Sequence, residues 1–311
     1  MRKGWGWEDI RFLVLLCIAL AALLALNIYL ARTLPGGEWL SLRWNGARAF
    51  MFEGIEPYGT AVAERAQSLV YGRTASAGEY GYVLNDPFYI VLLYAPLAVF
   101  SDFAIARGFW MLFAEAALVG TVLLTLRLLE WQAPRWMLIC LFIFSLFGYY
   151  SLLPLVSASP AIFLTFIYIS ILLALRSFND ELAGGLLFLA AYQWEVGALF
   201  FLFIMVLVVA NKRWAVVAGF AMTLFILLVV SFLMKSGWLL PYIRAILSDW
   251  YRGAALNFNS VLEFWFPASR LSSKCSARRG SIFAALPGWR ASRLPQPHYS
   301  ASQFSPPTMR R

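Results

Sequence analysis

Residues Phe12 to Leu30 read FLVLLCIALAALLALNIYL, an apolar run without a single charge. A hydrocarbon core about 30 Å thick takes about 20 helical residues, so this run has the length of one crossing. No small-x-small cleavage site leads from it into polar sequence, so it reads as a retained span and not as a removed leader. Working outward, further apolar runs lie at 88–100, 105–129, 136–156, 160–175, 182–210 and 214–234. The 182–210 run is too long for one upright crossing and is interrupted by Gln193-Trp194-Glu195. No alternating ten-residue strand pattern occurs, and closed backbone hydrogen bonding then favours helices. The expected fold is all-α, a polytopic membrane helix bundle of about seven spans, or eight if 182–210 crosses twice.

Composition agrees. Of 311 residues, 61% are hydrophobic and 13% charged, against roughly 45–50% and about 25% in ordinary soluble domains. A soluble enzyme, a secreted module and a disordered chain are all poor fits. Cys17, Cys140 and Cys275 are too scattered for a disulfide scaffold or a zinc cluster. His298 is the one histidine, which excludes His-rich metal chemistry and speaks against a His-based triad. No phosphate-cradling or dinucleotide loop is present, and the carboxylates are not spaced as a dedicated metal site. No cofactor is expected.

The net charge of +9 is misleading until it is placed. Beyond Ser269 stand Arg270, Lys274, Arg278, Arg279, Arg290, Arg293, Arg310 and Arg311 with no acid among them, so the preceding chain is close to neutral. The division expected is a membrane-embedded domain over 1–269 and a basic, Ser/Pro-rich disordered tail over 270–311. Such a tail is attracted to anionic lipid. No folded reading module accompanies it, so nucleic acid is not an expected partner. Arg2, Lys3 and Arg11 before the first span, with Lys212-Arg213 after the sixth, suit a cytoplasmic N-terminus. Arg127 and Arg135 oppose that orientation, because in this count they flank an outside turn.

The interval 31–87 is too long and too organised for a plain connector. It holds the acids Glu38, Glu53, Glu56, Glu64, Glu79 and Asp86 and the bases Arg32, Arg43, Arg48, Arg65 and Arg73. Leu40, Trp44, Ala47 and Met51, with Phe50 beside them, recur at helical spacing and predict an amphipathic helix over 40–53 on the membrane face. Glu56-Pro57-Tyr58-Gly59 breaks it. Val62, Ala66 and Val70 predict a second helix over 60–72.

The run PGGEWLSLRWNGARAFMFEGIEPYG, then VAERAQSLVYGRTASAGEYGY, then NDPFYIVLLYAPLAVFSDFAIARGFWMLFAEAAL resembles the bacterial GT-C type glycosyltransferases. Among these it is similar to the polyprenyl-phosphate-mannose-dependent alpha-mannosyltransferase group. The likeness covers roughly residues 12–130 well, is fair to about 250 and is absent in the tail. It implies a multi-pass enzyme of the cell membrane that takes a hexose, mannose being one candidate, from a polyprenyl-phosphate carrier. The acceptor would be a glycan or lipid on the extracytoplasmic face, where the first loop is helical. It also implies an acid early in that loop as the catalytic group. This chain departs from the pattern: where the family has an Asp-Phe pair it reads Glu38-Trp39-Leu40, with Glu38 one position off the family's aspartate; its aromatic-Tyr-Pro is replaced by Asn85-Asp86-Pro87-Phe88-Tyr89, and a later Lys-Pro-Gln by Gln193-Trp194-Glu195. The family's further spans also give way to the arginine-rich tail, so a truncated product is an open expectation.

Inverting transfer needs a carboxylate to take the acceptor's proton as the hydroxyl attacks the anomeric carbon. The departing phosphate needs cationic stabilisation more than an acid. Glu38, the first carboxylate after the first span, is the leading base, and Asp86 the reserve. A turn or cap role also fits Asp86, beside Pro87. Glu53, Glu56 and Tyr58 are candidates to orient sugar hydroxyls. Arg43 and Arg48 are candidates for the phosphate, though their five-residue spacing lets only one of them face inward; snorkelling to lipid is the plain alternative. Arg73 is expected to be structural. Glu115 and Glu195 lie within apolar runs, where a charge marks a partner or a cavity. For Glu115 that partner is expected to be another span, through Arg107. The competing functions are a transporter or flippase of a lipid-linked or small polar solute, against which the halves show no internal repeat, and an inactive remnant.

Overall fold

The computed structural model describes residues 7–76 and 79–248, apart from the side chains of 194–196. Every regular element among them is helical. The expectations for 270–311 fall outside the described residues.

The first apolar run forms α1 (Trp7–Thr33), whose acidic first turn and basic last turn complement the helix dipole. The loop then folds into α2 (Glu38–Glu53) and α3 (Thr60–Tyr71), both stopped by glycines in the left-handed conformation, Gly54 and Gly72. Leu40, Trp44 and Ala47 face inward as their spacing predicts, but Met51 is exposed and Phe50 packs inward in its place. α2 is more than a surface helix, because Ser41, Arg43 and Asn45 are buried as well.

The run 88–100 is not a span. It forms α4 (Phe88–Leu93) and α5 (Ala95–Ala98), of 6 and 4 residues. At about 1.5 Å per residue such pieces reach only about half-way across a bilayer. Pro96 has no N–H to continue the ladder, so the helix breaks there. Its apolar residues are covered by protein: Phe88, Ile90 and Val91 join Leu40, Trp44 and Trp238 in one core beneath α2. The Trp44 indole donates to the Leu97 carbonyl at 3.1 Å and so fixes α2 on α5.

Beyond this platform come α6 (Phe103–Leu129), α7 (Arg135–Phe147), α8 (Tyr149–Val156), α9 (Ala161–Arg176), α10 (Asp180–Ala191), α11 (Trp194–Ala210) and α12 (Trp214–Met234). A short apolar helix, α13 (Leu239–Ser248), follows. Among the described residues α1, α6 and α12 are long and apolar enough to cross a membrane; α7 and α8, bent by 40° about Gly148, make a fourth as a pair. The 182–210 run is divided at Tyr192-Gln193 into α10 and α11.

Polar contacts mark two ends of the bundle. At the platform end Arg32 pairs with Asp102 at 2.9 Å, joining the close of α1 to the start of α6. Lys235, after α12, pairs there with Glu56. At the far end Arg176 pairs with Glu130, and Arg213 pairs with Asp180 and donates to the Leu175 carbonyl at 2.8 Å. α10 and α12 approach closely, because a Cβ on Gly184 would lie 2.0 Å from the Val216 carbonyl oxygen and one on Gly219 2.2 Å from that of Glu181. Small residues supply this contact, as they do where membrane helices pack.

Glu115 does not meet Arg107. Its carboxylate accepts from the Asn27 side-chain amide at 2.9 Å, linking α6 to α1 where Asn27 is 1% exposed. Arg107 is held elsewhere: Nη1 and Nη2 donate to backbone carbonyls, and Nε is buried without a partner among the described residues. Glu115→Gln keeps an acceptor for Asn27, whereas Glu115→Leu strands a buried amide. Interhelical hydrogen bonds of this kind are worth about 0.6–1.7 kcal/mol, and an orphaned buried group costs about 1–3. Thermal unfolding in detergent should therefore place the Gln variant near the parent and the Leu variant clearly below it. Equal melting of the two would remove this role.

Candidate functional site

The platform carboxylates cluster where α1 delivers the chain, and their partners differ. α1 exits through Leu34-Pro35 into Gly36-Gly37, with φ of +130° and +86°. Side chains rarely tolerate these angles, and space forbids them too. A Cβ on Gly36 would stand 2.5 Å from the Val156 oxygen, and one on Gly37 3.0 Å from Arg107 Cδ. This turn places Glu38 as the first residue of α2, half-buried. Glu38 lies within the electrostatic reach of Arg107 and Tyr82. Its carboxylate makes no ion pair among the described residues.

Asp86 is neither a cap nor a simple turn residue. It sits opposite Arg43, with Nη2 to Oδ1 at 3.0 Å and Nε to Oδ2 at 2.9 Å, and both residues are 7% exposed. Arg43 spends its remaining nitrogen on the Trp39 carbonyl at 2.8 Å. Burial works against the guanidinium charge, but Asp86 more than offsets it, so Arg43 holds its proton more tightly than an ordinary arginine. Tyr58 donates to the Asp86 backbone carbonyl at 3.0 Å. Burial first, then the Tyr242 and Asp86 charges, push its hydroxyl far above the usual tyrosine range. Tyr89 and Tyr242 also feel Asp86, and Tyr94 and Tyr192 lie within reach of Arg43. A buried ion pair ringed by phenols thus joins α2, the start of α4, the end of α10 and α13.

Three of the other loop acids are taken, and Glu64, exposed on α3, makes no ion pair among the described residues. Glu53 pairs with Arg65 and meets Arg48 Nε at 3.6 Å. Glu56 pairs with Lys235, whose ammonium lies 5.8 Å from the Phe50 ring centroid. Glu79 is clasped by Arg73, which with the Ser76 N–H pulls its carboxyl down to about 2, and Arg73 is structural in this sense. Arg48 donates to the Ala98 and Phe100 carbonyls at 3.1 and 3.3 Å and lies over the Trp44 and Phe52 rings. Both arginines of α2 therefore bind the platform together, Arg43 beneath it and Arg48 at the end of α5. Glu115 is apart from this group, in α6 against Asn27. Glu195 belongs to the 194–196 stretch, outside the described side chains.

Lys235 and Asn27 are partners with no local signal in the chain, since Lys235 is 179 residues from Glu56 and Asn27 is 88 from Glu115. The hint available is chemical: each is an isolated polar residue at or inside an apolar run. A cavity of about 380 Å³ between α9, α10 and α11 is lined, among the described residues, by uncharged side chains, Tyr168, Leu187, Ala190 and Phe201 among them. Among the described residues no three His, Cys, Asp or Glu side chains gather as a metal site. No family model, curated protein or solved structure matches the chain.

Proposed function

We propose that this chain is a polytopic membrane glycosyltransferase that moves a hexose from a polyprenyl-phosphate carrier to a glycan or lipid acceptor, with Glu38 as the base. The observation that carries the reading is the inequality among the platform acids. A base must offer a free lone pair to the acceptor hydroxyl, and Asp86, Glu53, Glu56 and Glu79 each face a cation. Glu38 and Glu64 are the loop acids without an ion pair among the described residues; Glu64 is exposed on α3, whereas Glu38 is half-buried and stands directly after α1. It would remove the proton as the acceptor oxygen bonds to the anomeric carbon and the carrier phosphate departs with its electron pair. Of the platform guanidiniums, Arg48 has the least complete ion pair, 3.6 Å from Glu53, and is the one suited to the charge on that phosphate. Incubating membranes that contain the chain with a labelled polyprenyl-phosphate hexose tests the reading. Label transferred to an acceptor supports it, and none from any such donor defeats it.

The same proposal includes seven passes through the bundle: α1, α6, the α7–α8 pair, α9, α10, α11 and α12, of which α10, at 12 residues, is shorter than a full crossing. Ion pairs at the two ends support an alternating course, and charge supports its sense. With 88–100 removed and 182–210 divided, Arg11, Arg127, Arg135, Arg176, Lys212 and Arg213 gather at the end opposite the platform. The short connections 157–160 and 192–193 at the platform end carry no Lys or Arg. The contrast between these short connections supports an extracytoplasmic platform in the proposed cell-membrane course, although Arg32 and Lys235 also border spans at that end. In intact cells a membrane-impermeant thiol reagent should label a cysteine placed at exposed Glu64 and spare one at Phe178. Labelling of both, or of Phe178→Cys alone, would overturn the assignment.

A further inference from the structure

We infer that Arg107 is the positioning residue for Glu38, an inference that rests on reading Glu38 as the base. Arg107 stands on the second turn of α6 and is 2% exposed. Its guanidinium donates to four backbone carbonyls: Ala31 at 3.1 Å, Leu34 at 2.9 Å, Pro35 at 3.2 Å and Val156 at 2.7 Å. Three of these close α1 and the fourth closes α8, so a single side chain gathers two helix ends whose carbonyls have no partner in their own helices. A rigid planar fork of donors suits that task, and a lysine's point charge does not.

The clamp reaches Glu38 through two residues. A Cβ on Gly36 would come 2.8 Å from Arg107 Nη2, and Gly37 lies against Arg107 Cδ and the Phe103 ring. The turn is thus moulded on Arg107, and Glu38 begins the helix that leaves it. On the same side the Trp39 N–H approaches the Ser157 carbonyl at 3.4 Å, tying the first turn of α2 to the end of α8. No carboxylate pairs with Arg107 within 4 Å among the described residues. A surface arginine that merely held α1 to α6 would duplicate the nearby Arg32–Asp102 pair. Burial against the glycine turn gives Arg107 a different consequence: it sets where the first carboxylate after the membrane stands.

Two measurements decide this. The first needs no activity. Spin labels at positions 38 and 178, in a chain with Cys17, Cys140 and Cys275 replaced by serine, should give a narrow distance distribution that Arg107→Gln broadens and Arg32→Gln leaves narrow. An unchanged distribution in Arg107→Gln overturns the inference. The second is kinetic. Misplacing a catalytic group by about 1 Å costs about 100-fold, so Arg107→Gln should lower kcat about 10- to 100-fold while the donor KM stays within about threefold. A residue acting only through Glu38 adds nothing once Glu38 is gone. Arg107→Gln/Glu38→Gln should then be no slower than Glu38→Gln, whereas additive losses would reduce Arg107 to a fold-stabilising role. If Arg107→Gln does not fold, Gly37→Ala disturbs the same turn from its other side and must show the same non-additivity. If the parent chain transfers no sugar, the reading of Glu38 as base fails, while the label distances still decide whether Arg107 sets the position of residue 38.

Discussion

Glu38→Gln should lower sugar transfer by roughly 10²–10⁴-fold, the usual contribution of a positioned general base. Glutamine matches the size of glutamate and can accept a hydrogen bond, but it cannot take up the acceptor's proton. The change falls on a half-buried residue with no ion pair to lose among the described residues, so melting of the detergent-solubilised protein should stay close to that of the parent. Binding of the polyprenyl-phosphate sugar should survive for the same reason. Glu56→Gln serves as the control. It loosens a partly exposed pair with Lys235, and such pairs are worth about 0–1 kcal/mol, so a modest loss is expected. Near-parental turnover in well-folded Glu38→Gln enzyme would remove Glu38 from the chemistry.

Much of the bundle was legible in the chain because membrane spans announce themselves by length. The 12–30, 105–129 and 214–234 runs are α1, α6 and α12 within a few residues. The two loop helices were readable from three- and four-residue spacing, although α2 begins two residues sooner, at Glu38, where the glycine turn releases it. The misreading of 88–100 has a physical cause. An apolar run shows that a segment leaves water, and not whether lipid or protein receives it. Here protein does, and Pro96 limits each piece to less than two turns. In the proposed seven-pass course, removing that span while dividing 182–210 also removes the charge conflict. Arg127 and Arg135 move to the end that holds Arg11 and Lys212.

The site was less legible, because its partners are distant in sequence. Arg43 and Asp86 are 43 residues apart, and the carbonyls around Arg107 are 49 to 76 away. Backbone acceptors leave no trace in residue type. Seen as sequence, Arg107 is a cation two turns before Glu115, so a pair within one helix is the natural expectation. In space Arg107 faces the exit of α1 while Glu115 faces Asn27 deeper in the same helix. The surplus of arginines in the loop has the same explanation. Arg48 closes the end of α5 and Arg73 clasps its own turn, tasks that suit a forked donor whatever the substrate.

Asp86→Asn should be the most destabilising single change in the platform. Removing one member of a buried ion pair leaves the other charge without compensation and costs about 3–5 kcal/mol. Arg43 cannot escape by losing its proton, since arginine stays charged in proteins, and at 7% exposure it has little water to turn to. The pair also sits where four elements meet, so the loss should spread to α13 and to the end of α10 through Tyr242 and Tyr192. Chemical unfolding in detergent, followed by tryptophan fluorescence, measures it, because Trp44 and Trp238 lie in the adjoining core. Replacing both partners, Arg43→Gln with Asp86→Asn, removes the stranded charge and should recover most of the stability. That recovery separates a structural ion pair from a catalytic carboxylate. If Asp86→Asn instead melts like the parent and abolishes transfer, the pair is dispensable to the fold and the base is Asp86, with Arg43 as its orienting partner.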